Sequence, residues 1–124
     1  MIFLSVEDVI NFHDDLIQEF GGASGIRDLG LLISAVEVPK ATMFGEDLYR
    51  DIFDKVAAYL FHIVSNDPFI DGNKRTGTIS ALIFLNLNNI NFEYNEFLLE
   101  DLVLKIAKGI GNKETLAQFF REIQ

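Results

Sequence analysis

Apolar side chains recur at intervals of three and four residues through most of the chain, which is the spacing of one face of an α-helix. The first series begins after Ser5, a good N-cap with Asp8 at the capping-box position, and stops at the Gly21-Gly22 pair. A β-strand would instead alternate with a period of two. The sequence therefore predicts a helical fold. The members of this first series are Val9, Ile10, His13, Leu16, Ile17 and Phe20.

Five further helices are predicted from the same period and from their capping residues. The fourth helix of the chain is apolar almost all round, so we expect it to be the central, buried helix. Residues 40–47 show no sustained period and read as an exposed loop or short flap, and residues 89–94 have the composition of a short extended segment. The five helices are a short one capped by Asp28 and ending before Pro39, one over roughly residues 48–65, one from about Asn73 to Asn88, and two capped by Asn95 and Asn112.

The length and composition favour one domain. The chain has 124 residues, of which 49% are hydrophobic and twelve are phenylalanine, enough to fill one core but too few residues for two ordinary domains. No linker-like stretch and no internal repeat divides it. The prediction is an all-α, single-domain bundle of about six helices over residues 1–124, with at most a short extended flap.

The charge and the residue usage exclude several classes of protein. A formal charge of −9 repels phosphate backbones, so general nucleic-acid binding is not expected, although one bound nucleotide needs only a local anion site. The chain has no cysteine, which fits a reducing cytosol. Its first residues meet acids too soon for a secretory signal, and its longest apolar stretch, residues 79–87, is far short of a membrane span. We expect a soluble, cytoplasmic protein.

One polar segment between two apolar helices has the composition of a binding or catalytic site. Residues 67–75 (DPFIDGNKR) place two carboxylates, a glycine, an amide and two adjacent cations at the start of a helix, where free N–H groups and the helix dipole attract anions. Gly72 leaves space for a phosphate to approach the backbone. Lys74 and Arg75 add positive charge, and Asp71 is a hard oxygen ligand suited to Mg²⁺.

A plainer interpretation of this segment is that Asp71 and Asn73 cap the helix and that Lys74-Arg75 is a solvated first turn. Cations near a helix N-terminus are unfavourable with the dipole, however, and two together require an anionic partner. The spacing therefore favours a phosphate site over a simple turn.

The same segment resembles the signature of the Fic/Doc family, in which a histidine is followed by x-Phe-x-acid-Gly-Asn and then by Gly-Arg or Lys-Arg. Flanking segments resemble the Doc branch of that family: SGIRD at 24–28, GLL at 30–32 and FGEDLY at 44–49. Lys74, and Thr78 where adenylylating Fic relatives usually carry a second arginine, also resemble Doc. The matching motif residues are Phe69, Asp71, Gly72, Asn73 and Arg75.

The resemblance implies a toxin that transfers the terminal phosphate of ATP to a Ser or Thr hydroxyl of a translation factor, elongation factor Tu, and so blocks translation. It implies ATP and Mg²⁺ as cofactors, an antitoxin whose tail folds on binding, and a bacterial or phage-derived origin. It also implies a role for each motif residue: Phe69 anchors the loop, Asp71 holds Mg²⁺, Gly72 and Asn73 form an anion nest, and Lys74 and Arg75 neutralise the transferring phosphate.

The chain departs from the family at one position, since Asp67 stands where the catalytic histidine is expected. An aspartate is a weaker base than a histidine, and its charge faces the incoming phosphates. We therefore expect this chain to be inactive or severely crippled. Three alternatives stay open: an adenylyltransferase on the same scaffold, a module that binds nucleotide or antitoxin without chemistry, and weak activity with Asp67 and Asp71 sharing a metal ion.

Four residues outside the motif are weaker candidates for a functional role. His13 and His62 lie in apolar stripes and lack the paired spacing of metal ligands, so both are interpreted as core residues. The phenylalanines are spread along the chain and are interpreted mainly as core, with Phe44 in the loop as the exception that contacts a partner. Arg27 is either a second phosphate contact or a salt-bridge donor, and we favour a role in supporting the site.

Overall fold

The computed structural model describes residues 1–91 and 93–122 of the chain. This part of the chain contains six α-helices and one two-stranded sheet, which confirms the all-α prediction. A single turn of 3₁₀-helix, Val38–Lys40, extends the second helix. The helices are α1 (Val6–Phe20), α2 (Leu29–Glu37), α3 (Ile52–Asn66), α4 (Asn73–Leu87), α5 (Glu96–Ala107) and α6 (Lys113–Glu122).

The predicted capping residues act as caps. Ser5 and Asp8 form a capping box at the start of α1, with the Asp8 N–H donating to Ser5 Oγ at 3.1 Å and the Ser5 N–H donating to the Asp8 carboxylate at 2.8 Å. The side chains of Asp28, Asn95 and Asn112 likewise accept hydrogen bonds from main-chain N–H groups three residues later. The capping predictions for these four helix starts are confirmed.

Residues 42–47 form a short hairpin, and Lys40 belongs to the 3₁₀ turn before it. Strands β1 (Thr42–Met43) and β2 (Glu46–Asp47) pair antiparallel, and the connecting Phe44 and Gly45 both have positive φ, 52° and 81°. The Phe44 side chain is 99% exposed at the tip. The described residues in the second predicted extended segment, 89–91 and 93–94, form no strand, and Phe92 lies outside the described residues.

Helix α3 begins at Ile52, four residues later than the sequence predicted. Asp51 is its N-cap and accepts a hydrogen bond from the Asp54 N–H at 2.9 Å. Just before it, the carbonyl oxygens of Tyr49 and Arg50 accept hydrogen bonds from the Lys55 ammonium group, which is 2% exposed. Because these carbonyls turn toward a buried amine, they are not available to begin a helix.

The prediction that α4 is the central helix is wrong, because α3 occupies that position. Helix α3 packs against α2, α4, α5 and α6, and every residue from Lys55 to Leu60 is buried. Two large apolar residues of α4, Ile79 and Leu82, instead line an open cavity beside α5 and are only partly buried. A purely apolar composition therefore did not distinguish a core helix from one that borders a groove. In the described ranges, no helix has the length and apolar character needed to cross a membrane.

Candidate active site

The loop between α3 and α4, residues 67–72, is fixed by main-chain hydrogen bonds to the segment before α2. The Pro68 carbonyl accepts from the N–H groups of Arg27 at 2.7 Å and Asp28 at 3.0 Å. The Ile70 N–H donates to the Gly25 carbonyl at 3.0 Å. The loop that carries the motif is thus paired along its length with residues 25–28.

Asn73 closes the loop from the other end. Its Oδ1 accepts from the Phe69 N–H at 2.9 Å, and its Nδ2 donates to the Phe69 carbonyl at 2.9 Å and to Asp67 Oδ1 at 2.6 Å. The Phe69 ring is fully buried, and Asn73 is 8% exposed. Since these side-chain bonds all stay within the loop, what Asn73 offers an anion is its main-chain N–H.

The Asp71 carboxylate is exposed and is held by two main-chain donors. The Ala23 N–H donates to Oδ2 at 3.1 Å, and the Gly72 N–H donates to Oδ1 at 2.9 Å. These two hydrogen bonds, with the positive charge of Arg75 nearby, lower the pKa of Asp71 from its usual value. A Cβ on Gly22 would lie only 2.7 Å from Asp71 Oδ2, so a glycine is needed there for the contact. The result is a fixed, ionised carboxylate that still faces solvent.

A pocket of about 320 Å³, named the anion pocket for the cations that line it, lies at the start of α4. The N-cap of this helix is Gly72 (φ 78°), which provides no side-chain hydrogen bond, so the interpretation of Asp71 and Asn73 as caps is wrong. Lys74 and Arg75 are exposed, and neither is within salt-bridge distance of a carboxylate in the described residues. The Arg75 guanidinium lies over the Phe20 ring at 4.8 Å. The pocket is lined by Leu16, Ile17, Gly21, Asp71, Gly72, Asn73, Lys74 and Arg75.

Two further cavities adjoin this pocket and extend it into a groove. One, also about 320 Å³, places Asp67 beside Asp71 and Lys74. The other, about 550 Å³ and mainly apolar, runs between α4 and α5, is also lined by Leu16 and Phe20 of α1, and shares Leu16, Lys74 and Arg75 with the pocket. Thr78 lines this apolar cavity. The cationic start of α4 therefore lies where the three cavities meet.

Asp67 is the C-cap of α3 and has a left-handed conformation, φ 52° and ψ 50°, which aspartate tolerates better than most residues. Besides accepting from Asn73, its carboxylate has the Arg27 Nε 3.8 Å from Oδ2. Arg27 also donates to the carbonyls of Asn66 at 2.8 Å and Asp67 at 2.7 Å. Arg27 thus binds the end of α3 and is not among the residues that line the anion pocket.

Sequence reasoning missed the residues that support Asp71 from outside the motif. His13 was interpreted as a core residue, and it is buried, but its Nε2 also lies 2.7 Å from the Asp71 carbonyl oxygen. Only the diglycine at 21–22 hinted at a close approach, and it was assigned to ending α1. His62 contacts Lys113 instead, with Nε2 3.2 Å from Nζ, and lines none of the three cavities.

Asp71 is the side chain of the pocket that suits Mg²⁺. In the described residues, no three His, Asp or Glu side chains are grouped to hold a metal ion by themselves. Mg²⁺ that arrives on phosphates needs only one or two protein carboxylates, because phosphate oxygens and waters complete its coordination. The exposed, ionised Asp71 beside a cationic pocket fits that role.

The comparisons with known proteins agree with this arrangement. A model of the Fic/DOC family matches residues 3–85. This chain belongs to the Fic/DOC family. It is 40% identical over 100 residues to Toxin Doc of Mycolicibacterium smegmatis, covering 79% of this chain and 77% of that protein. It is 32% identical over 124 residues to Protein kinase doc of Escherichia phage P1, covering 99% of this chain and 96% of that protein.

Proposed function

We propose that this protein is a Doc-type toxin built to transfer the terminal phosphate of ATP to a Ser or Thr hydroxyl of a translation factor. The observation that carries the proposal is the anion pocket at the start of α4, where Lys74 and Arg75, exposed and without an ion pair to any described residue, lie beside the fixed carboxylate of Asp71. The relative named Toxin Doc supports the assignment as a toxin, and the relative named Protein kinase doc supports phosphate transfer to a protein. Elongation factor Tu, in a bacterial cytoplasm, is the target that the family resemblance implies.

Each residue has a distinct part in the proposed reaction. The N–H groups at the start of α4, from Asn73 to Arg75, and the helix dipole bind phosphate oxygens. Asp71 holds Mg²⁺, which when bound neutralises charge on the polyphosphate. Lys74 and Arg75 stabilise the charge that spreads over the transferring phosphoryl group, and such electrostatic stabilisation is the main catalytic contribution in phosphoryl transfer.

Asp67 limits the reaction, in our proposal, to the point that the chain is inactive or severely crippled. Its carboxylate is already engaged by the Asn73 amide and lies near Arg27, and its negative charge opposes the phosphates. It also lacks the histidine ring that takes the hydroxyl proton in the family. Loss of a general base costs on the order of a hundred- to ten-thousand-fold in rate.

The test restores the base. The Asp67→His variant, the parent chain and Asp67→Asn are incubated with γ-labelled ATP, Mg²⁺ and bacterial lysate, and the labelled protein is identified. We expect Asp67→His to transfer label at least a hundred times faster than the other two, because only it supplies a base matched to neutral pH. Equal rates for the parent and Asp67→His would end the inactivation hypothesis.

Repeating the assay with α-labelled ATP separates phosphate transfer from adenylyl transfer. We expect no α-label in the product, since Thr78 occupies the position of the second arginine of adenylylating relatives. No transfer of either label by Asp67→His, together with tight nucleotide binding, would instead identify a module that binds without chemistry.

The resemblance also implies an antitoxin whose tail folds across the toxin. The mainly apolar cavity between α4 and α5 lies next to the phosphate pocket, so a helix seated there would reach the cations. Calorimetry of Mg·ATP binding with and without the antitoxin tail tests this part of the proposal, because a tail that reaches the cations competes with the nucleotide.

A further inference from the structure

His13 makes two contacts with the motif loop, although it lies 58 residues earlier in the chain. Its ring stacks on Phe69 with centroids 3.9 Å apart and planes 5° apart. Its Nε2 is 2.7 Å from the Asp71 carbonyl oxygen. Because a carbonyl only accepts, this nitrogen must carry a proton and donate. The His13 side chain is 1% exposed, whereas Asp71 is exposed, so the hydrogen bond is shielded from water on the side of its donor.

The hydrogen bond fixes the orientation of one peptide unit. In a trans peptide the carbonyl and the following N–H point in opposite directions, so a carbonyl of Asp71 held toward α1 turns the Gly72 N–H away from it. That N–H donates to Asp71 Oδ1 at 2.9 Å, on the side of the anion pocket. The His13 ring is also close to Gly72, since a Cβ there would be in van der Waals contact with its Nε2 at 3.7 Å.

A simple core residue would not need this arrangement. Phenylalanine or leucine at position 13 could fill the space and pack against Phe69, but neither could donate to the Asp71 carbonyl. That carbonyl would then lose its buried partner, and the peptide would be free to rotate about a glycine that has positive φ.

We propose that His13 is a positioning residue that sets the Asp71–Gly72 peptide, and through it the Asp71 carboxylate and the first N–H groups of α4, for a magnesium-bound polyphosphate. The ligand in this inference rests on the proposed function, whereas the orientation of the peptide does not. His13 touches neither the target nor the reacting atoms and acts through Asp71 and Gly72.

Three variants of the full chain test the inference. His13→Phe keeps the stacked ring and removes the donor, His13→Gln keeps a donor near the Nε2 position, and His62→Phe makes the same change at a histidine that contacts Lys113 instead. Two quantities are measured: the Gly72 amide nitrogen shift in ligand-free protein, and the dissociation constant for Mg·ATP by calorimetry. Thermal unfolding checks that each variant folds.

We expect His13→Phe to move the Gly72 amide resonance and to weaken Mg·ATP binding about tenfold, the loss expected for one hydrogen bond with a buried donor. We expect His13→Gln to restore most of the parent Gly72 resonance and most of the Mg·ATP affinity. We expect His62→Phe to change neither the resonance nor the affinity. Unchanged Gly72 resonance and affinity in His13→Phe, or a folded His13→Gln that is no better than His13→Phe, would overturn the inference.

Two outcomes are kept apart by this design. If the parent chain does not bind Mg·ATP, the proposed function fails, and the Gly72 resonance in the ligand-free variants still decides the role of His13. If His13→Phe does not fold, His13→Gln carries the test alone: a tenfold loss of affinity, or a Gly72 shift far from that of the parent, contradicts the inference, and parent-like values support it.

Discussion

At the scale of single residues, the ionised state of Asp71 depends on a turn almost fifty positions earlier. Ala23 donates the first of the two main-chain hydrogen bonds that lower its pKa, and Gly22 gives the carboxylate room to approach. The folded state therefore keeps Asp71 ionised at a lower pH than an unfolded chain does, and this small contribution to stability is present at neutral pH and is lost as pH falls through the lowered pKa.

Gly22→Ala tests this dependence, with Gly21→Ala as its control. Both glycines have positive φ, 115° and 82°, so each substitution strains the backbone by on the order of 1–3 kcal/mol. Only the Cβ at position 22 would contact Asp71, because nothing lies within 4 Å of one at position 21. We expect the Asp71 pKa, followed by carboxyl ¹³C shifts, to rise toward its usual value in Gly22→Ala alone. A similar rise in both variants would contradict the role assigned to this contact.

At the scale of elements, the hairpin of β1 and β2 is attached to α3 by a buried lysine. Lys55 Nζ donates to the Asp47 carboxylate at 3.1 Å and to the carbonyls of Tyr49 and Arg50. The hairpin is otherwise exposed, and two short strands alone are not stable in water. Among the described contacts, the Lys55 ammonium group is therefore the main anchor of this flap on α3.

Replacing Lys55 by methionine keeps the length of the side chain and removes the three hydrogen bonds. We expect the free energy of unfolding to fall by about 2–3 kcal/mol, because two carbonyls and a carboxylate lose a buried donor. We also expect amide exchange in residues 42–47 to increase. Urea unfolding and hydrogen exchange measure the two effects.

Lys105→Met is the matched control for Lys55→Met. Lys105 pairs with Asp101 at 3.0 Å on the surface of α5, and both side chains are about half exposed. We expect a loss of only about 0.3–0.5 kcal/mol and no change in the hairpin. Equal losses in the two variants would show that Lys55 does not anchor the flap.

At the scale of the whole molecule, one cluster joins two helices and the segment that precedes α3. Lys113 at the start of α6 donates to the Tyr49 hydroxyl at 2.7 Å and lies 3.2 Å from His62 Nε2 on α3. Burial, and then the charge of Lys113, lower the pKa of His62 to about 4 from 6.5. His62 is therefore neutral in the folded protein at neutral pH.

This shift predicts a loss of stability in acid. Between pH 6.5 and about 4 the unfolded chain binds a proton at His62 that the folded chain does not, so the free energy of unfolding falls as pH drops through that window. We expect the free energy of unfolding to fall by about 1–2 kcal/mol across this window. This is less than the full pKa shift would give, because the ring is only partly buried and solvent screens its charge. Urea unfolding of the parent and of His62→Gln over this pH range checks it. Parallel curves for the two proteins would contradict the prediction.

The sequence by itself determined the features that arise within one or two helical turns. The caps at Ser5, Asp28, Asn95 and Asn112 depend on side chains and N–H groups three residues apart, so their spacing is visible in the chain. The prediction of an anion site is equally local, because Gly72, Lys74 and Arg75 follow one another at a helix start, and its function stays a prediction. The match of the motif to the Fic/DOC family came from the same short segment.

The tertiary structure alone decided which residues support that pocket and which helix is central. His13 and Ala23 reach Asp71 across 58 and 48 residues, and no periodicity records a hydrogen bond to a main-chain atom so far away. Lys55 looks like a surface residue in sequence and is buried because the chain leaving the flap turns three acceptors toward it. Helix α3 is central because four other helices pack around it, and an apolar helix such as α4 can equally border a groove. Local chemistry fixes elements, whereas burial depends on the packing of every element at once.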